Sequence, residues 1–139
     1  MDDATEASAG WYWQFNRKQG YKHDGTTLTP LWNNAEIKEN SDWISANDPC
    51  SIELGSSWHV PTYSDWNNVN LGGKWTRSYD EWNSGLKIHA AGNLYDGLLI
   101  GRGSYVNYWS STQQDARVGS EFRQNSYKNK GCTLRCIRE

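Results

Sequence analysis

"GSSWHVPTYSDWNNV", residues 55–69, is the stretch on which the reading of this chain turns. Thr62 stands three residues ahead of Asp65, so hydroxyl and carboxylate can each accept from the other's exposed amide, the capping box that opens a helix. Trp66 and Val69, three apart, then share a helical face that looks into a core. "SYDEWNSGL", residues 78–86, repeats the device with Ser78 and Glu81, turns Trp82 inward and ends near Gly85. Two short helices are predicted. Just upstream, "SDWISANDPC", residues 41–50, predicts one helical turn anchored by Trp43 and Ile44, and Asp48-Pro49 reads as a turn.

Outside these helices the texture is β. "GWYWQFNRKQGY", residues 10–21, alternates aromatic and polar positions and places Trp11, Trp13 and Phe15 on one face, with Gly10 and Gly20 as punctuation. "LKIHA", residues 86–90, sets Leu86, Ile88 and Ala90 against Lys87 and His89. "YDGLLIGRGSY", residues 95–105, holds a short apolar run between glycines, and "NYWSST" begins a further segment at Asn107. "CTLRCIRE", residues 132–139, alternates Cys132, Leu134 and Cys136 with Thr133, Arg135 and Ile137. Short strands with glycine turns and two small helices predict an α+β domain rich in irregular loop.

The 139 residues suit one domain, read as residues 11–139 behind a polar tail at 1–10. Nine Trp and eight Tyr, each removing a large apolar area from water, let few residues build a core. The net charge of −2 carries no polyanion-binding signature, so nucleic acid is not expected as a partner. From Arg102 onward seven basic residues face three acidic ones, which leaves the remainder acidic, a mild asymmetry that reads as a solvated face. No apolar run approaches a membrane span, and "MDDATEASAG" lacks the basic and apolar parts of a signal peptide; whether a leader or further domains precede it stays open. Cys50, Cys132 and Cys136 allow one disulfide and a spare thiol, or three thiols. There is no CxxC, and His23, His59 and His89 make no zinc pattern, so no metal site is expected.

"GSYVNYWSSTQQDARVGSEFRQNSYKNKGC", residues 103–132, is aromatic and polar at once. A core strand wants aliphatic β-branched residues, and a disordered tail is poor in aromatics. Tyr and Trp give large contact area at low entropic cost, Ser, Asn and Gln give adaptable hydrogen bonds, and Arg is favoured at hot spots. The segment is therefore expected to present a ligand-binding face through Tyr105, Asn107, Gln113, Gln114, Asp115, Arg117, Arg123, Asn125 and Tyr127. Tyr105 and Tyr127 should then be exposed on one surface; the bland alternative is an ordinary solvated loop.

"NDPC", "GSSWHVPTYSDW", "YWSST" and "GCTLRCIRE" in this order resemble the Fibrobacter succinogenes major paralogous domain, and "YWQFNRKQGY" looks like its aromatic first strand, so the resemblance spans nearly the whole chain. That family is related to the formylglycine-generating-enzyme type of C-type lectin fold. The resemblance implies a small twisted antiparallel sheet, two short helices and long loops, in a protein that is extracellular, at a cell surface or on a phage virion. His59 stands where the family usually has Arg, which puts an Arg salt bridge there in doubt, and Asp65 where it usually has Glu, which keeps the capping chemistry.

The family's Pro-Cys and Arg-Cys positions fall on Cys50 and Cys136, which makes these the disulfide candidates and implies an oxidising compartment; three thiols in a cytosolic or virion-borne protein is the alternative. Trp58, Pro61, Thr62, Trp66, Trp109 and Ser110 match the family's structural positions. Copper-dependent oxidation by a formylglycine-generating-type site would need two cysteines with four residues between them, and Cys132 and Cys136 have only three. The calcium-sugar motifs of true C-type lectins are missing beside all three prolines, leaving no cofactor expected beyond calcium held by irregular loops. The expected function is non-enzymatic recognition of a protein or glycan, as an adhesin or phage receptor-binding domain that can assemble as a homo-oligomer. In some relatives residues like 103–132 are the variable region of a diversity-generating retroelement. A structural surface or pilus module without a ligand is the alternative reading.

Overall fold

The computed structural model describes residues 11–70, 91–113, 117–118 and 128–139. In chain order these residues form β1 (Tyr12–Trp13), β2 (Gly20–His23), β3 (Leu28–Thr29), a 3-10 turn (Ser45–Asn47), α1 (Pro49–Leu54), β4 (Trp58–His59), α2 (Tyr63–Asn70), β5 (Asn93–Tyr95), β6 (Leu98–Ile100), β7 (Tyr108–Trp109), β8 (Arg117–Val118) and β9 (Ile137–Arg138). All named strand pairs are antiparallel: β1-β2-β3 as one sheet, β4 with β9, β5 with β6, and β7 with β8. The class is mixed α+β. The predicted helix at 78–85, the "LKIHA" strand and the tail 1–10 lie outside the described residues.

The capping box at α2 forms as its sequence dictates: the Asp65 amide donates to Thr62 Oγ1 at 3.1 Å, and the Thr62 amide to Asp65 Oδ2 at 2.9 Å. Asp48-Pro49 is not a turn but the start of α1, because Asp is a favoured N-cap and Pro is pre-set for the first helical position. Asp48 Oδ1 accepts from the amides of Cys50 and Ser51 at 2.8 and 3.2 Å, while Oδ2 accepts from Val60 at 2.9 Å. One buried carboxylate thus ties the beginning of α1 to the chain leaving β4. The expected helical turn is displaced to Ser45–Asn47, with Trp43 buried ahead of it and Ile44 exposed. Asp96-Gly97, at φ 49° and 77°, makes the two-residue turn that joins β5 to β6.

Two cores meet at β1. Phe15, Trp43, Val60, Trp109, Cys132 and Leu134 form one, with Trp13 packed against it. Tyr12, Tyr21, Ala91 and Leu94 form the other. The alternation of the first strand therefore serves two buried faces, and Trp11, expected to join Trp13 and Phe15, stands 46% exposed at the strand end. In the first core the rings of Phe15, Trp43 and Trp109 sit 5.1–6.4 Å apart in tilted and edge-to-face geometry, where each pair adds about 0.5–1.5 kcal/mol beyond its burial.

"CTLRCIRE" departs from its expected alternation. Cys132, Thr133 and Leu134 are all buried, because backbone covers the segment from two sides: Trp13 and Cys132 exchange amide hydrogen bonds at 2.8 and 3.0 Å, while Trp109 donates to Thr133 at 3.1 Å and Thr133 to Asn107 at 3.3 Å. Only Ile137–Arg138 is a named strand here. Cys50 and Cys136, 86 residues apart in sequence, are joined as a disulfide with Cα atoms 5.5 Å apart. Closing a loop of that length stabilises by about 4–5 kcal/mol in the chain-entropy model.

Candidate functional site

The segment expected to carry recognition is tied into the fold at both ends. On its near side Tyr108, Trp109 and Ser110 are buried, the Trp66 indole donates to the Trp109 carbonyl at 3.2 Å, and the Trp109 indole donates to the Trp13 carbonyl. Ser111 donates to the Pro61 carbonyl at 2.8 Å and accepts from the Trp43 amide at 2.9 Å. On its far side Phe15 donates to the Lys128 carbonyl at 2.8 Å, and Gly131 exchanges amide bonds with Leu94 at 2.7 and 2.9 Å. Both attachments are to core strands or to residues beside them, so the two described ends of the segment are fixed to the frame.

Of the expected ligand-facing residues, Tyr105 is 36% exposed. Its ring lies on Gly101, whose φ of 71° and lack of a side chain are both required: a Cβ there would come within 2.0 Å of Tyr105 Cδ2. Gln113 is half-buried, with its amide donating to Asp42 Oδ1 at 2.9 Å. Asn107 corrects the expectation. It is 3% exposed, and its side-chain nitrogen Nδ2 has no hydrogen-bond acceptor among the described residues, so its side chain is packed inside and does not belong to an exposed face. The reason is its place immediately before β7, where its carbonyl is taken by Thr133. Arg117 lies in β8 opposite Trp109. Gln114, Asp115, Arg123, Asn125 and Tyr127 fall outside the described residues, and with them the expected pairing of Tyr105 and Tyr127 on one surface.

Of the residues assigned structural positions, Pro61, Trp66, Trp109 and Ser110 are buried, Thr62 caps α2 and Trp58 is half-buried against the first core. His59 lies 3.5 Å from the Asp65 carboxylate and 3.9 Å from that of Glu139, and can pair with them when its imidazole is protonated. For Asp65 burial pushes the carboxyl up, but the amide and hydroxyl of Thr62 together with His59 outweigh it and hold it below the ordinary value.

Arg102, legible in the sequence only as a charge, proves to be a clamp. Its guanidinium donates to Tyr12 Oη at 2.9 and 3.1 Å and to the His23 carbonyl at 2.8 Å, and it lies 5.7 Å above the Tyr12 ring. The Tyr12 hydroxyl in turn donates to the Ala91 carbonyl at 2.6 Å. His23 is held below its ordinary pKa by burial and by the Arg102 charge, with Asp24 pulling the other way. Cys136 is engaged with Cys50, and Cys132 is buried. Among the described residues no three His, Cys, Asp or Glu side chains gather as a metal site, and no helix is long and apolar enough to cross a membrane.

Compared with protein-family models, with curated proteins and with solved structures, the chain finds no match in any of the three.

Proposed function

We propose that this chain is a non-enzymatic recognition domain on a C-type lectin-like scaffold of the formylglycine-generating-enzyme type. In this reading it takes a protein or glycan ligand through the segment 103–132, as an adhesin or phage receptor-binding module at a cell surface or virion. The observation that carries the reading is the double anchoring of that segment, by Trp109 and Ser111 at one end and Lys128 and Gly131 at the other. A frame fixed at both ends tolerates change in the sequence between, which suits a diversified binding region. The Cys50–Cys136 bridge supports an oxidising location. The motif order from Asn47 to Glu139 supports the scaffold. No cofactor is needed for this chemistry, which is contact area plus adaptable hydrogen bonds.

The test is a glycan-array and host-surface screen of the intact chain against a variant carrying Tyr105→Ala, Arg117→Ala and Tyr127→Ala, both confirmed as folded by near-UV circular dichroism. Binding by the parent that drops at least about tenfold in the variant, roughly 1.4 kcal/mol, is expected. Equal binding, or none by either protein, moves the reading to a structural surface module.

A further inference from the structure

At the other end of β1 the chain builds a second concave surface. Trp11, Trp13, Lys18, Gln19, Ile52 and Glu53 line a groove of about 450 Å³. The volume is within the range of small-molecule sites. Trp11 is 46% exposed and Ile52 51%, so both aromatic and aliphatic area in the lining is open to water.

Trp13 is fixed rather than merely present. Its backbone is bonded both ways to Cys132, and its carbonyl also receives the Trp109 indole. Its indole lies against the backbone of Gly20 on the neighbouring strand, where an added Cβ would sit 3.0 Å from both Cε2 and Nε1. No left-handed backbone accounts for a glycine at position 20, so the space the indole occupies is what the residue supplies. An aromatic surface immobilised before binding loses little entropy when a ligand arrives.

We infer that this groove is a carbohydrate subsite, which takes a neutral pyranose of a glycan against Trp11 and Trp13. A pyranose offers one face of C–H groups, which can lie on an indole, and a rim of hydroxyls that both donate and accept. The groove holds both kinds of group: indole surface for the C–H groups, the Lys18 ammonium to donate and the Glu53 carboxylate to accept. The opposite charges of Lys18 and Glu53 cancel, which favours an uncharged ligand over a phosphate or a uronic acid. A nucleic-acid base could stack in the same way, but single-stranded nucleic acid also demands a positive track for its backbone, and the lining includes a carboxylate instead. Among the described residues none from 103–132 lines this groove, although the Trp13 backbone is bonded to Cys132 and Trp109, so the two readings are tested by different substitutions.

The experiment is a heteronuclear NMR titration of the full chain with cellohexaose, chitohexaose, maltohexaose and mannohexaose, with a proline-rich decapeptide as the competing chemistry. Saturable shifts of the Gly20 and Ile52 amides with at least one oligosaccharide are expected. Trp11→Ala, which removes an exposed side chain, should weaken that binding at least about tenfold. Gly20→Ala, whose Cβ presses on the Trp13 indole and shifts it by a few tenths of an ångström, should weaken it less than Trp11→Ala does. Leu31→Ala, at an exposed side chain outside the groove lining, should leave it unchanged. Binding by none of the sugars, binding indifferent to Trp11→Ala, or binding by the peptide in place of the sugars would each overturn the assignment. Binding lost on Tyr105→Ala but kept on Trp11→Ala would overturn the groove and support recognition by residues 103–132.

Discussion

The core around Trp109 and the core around Leu94 share β1, yet they are held by different chemistry. Around Trp109 three large rings meet edge to face, Asp48 and Thr62 cap two helices, and the Cys50–Cys136 bridge closes the whole covalently. Around Leu94 the apolar set is smaller, and a guanidinium does the joining: Arg102 links Tyr12 of β1 to the end of β2, while Tyr12 reaches Ala91 ahead of β5. The first arrangement spreads its hold over ring contacts, helix caps and a covalent bridge. The second depends on a charge placed where a hydroxyl and a carbonyl converge. In a domain this small, a disulfide is needed on only one side of a shared strand if a polar clamp serves the other.

Removing the bridge should have the largest effect. Cys50→Ala with Cys136→Ala is expected to lower unfolding free energy in urea by up to about 4–5 kcal/mol, the loop-closure value. Native-state hydrogen exchange sharpens the result. The amides of Val60, Trp109 and Thr133 should lose more protection than those of Leu94 and Gly131, because the bridge lies in the first core. Equal loss throughout would mean that the two cores open as one unit and would erase the contrast.

Arg102→Leu attacks the other side. It removes hydrogen bonds to Tyr12 Oη and the His23 carbonyl, and a loss of about 2 kcal/mol is expected in the same urea assay. Exchange at Leu94 should now rise more than at Trp109. A variant as stable as the parent would show that the second core rests on its apolar contacts alone.

How much of this was legible depends on how local each feature is. The Thr62–Asp65 box could be read directly, since both partners lie within one helical turn and no distant residue alters their reach. Asp48-Pro49 was locally ambiguous: the same dipeptide serves a turn or a helix start, and what decides it is Val60, twelve residues on, which takes the second carboxylate oxygen. The terminal segment misled for a similar reason. Period-2 alternation assumes one buried face, whereas Thr133 is covered by Asn107 and Trp109 and Cys132 by Trp13. The disulfide came from resemblance, because three cysteines by themselves allow several states. The Arg102 clamp and the Trp11–Trp13 groove join residues far apart in sequence, and nothing in either stretch alone marks them.

The smallest effect, and the one that separates the regions without mutation, is pH. His23 belongs to the clamp side and Asp65 to the capped side. Because burial and the Arg102 charge lower the His23 pKa, the unfolded chain takes up a proton before the folded one does. The stability tied to His23 is therefore whole above its ordinary value of about 6.5 and falls as pH drops below that. Asp65 is also lowered, so its contribution is whole above the ordinary carboxylate value of about 3.9 and is lost only as pH falls through its folded pKa. A stability profile from pH 8 to pH 3 should thus decline in two stages, with exchange rising first at Leu94 and later in the first turn of α2. In Arg102→Leu the first stage should shrink, because one of the two causes of the His23 shift has gone, while the second stage stays where it was. A first stage unchanged by that substitution would assign the shift to burial alone and leave Arg102 as a mechanical clamp without an electrostatic part.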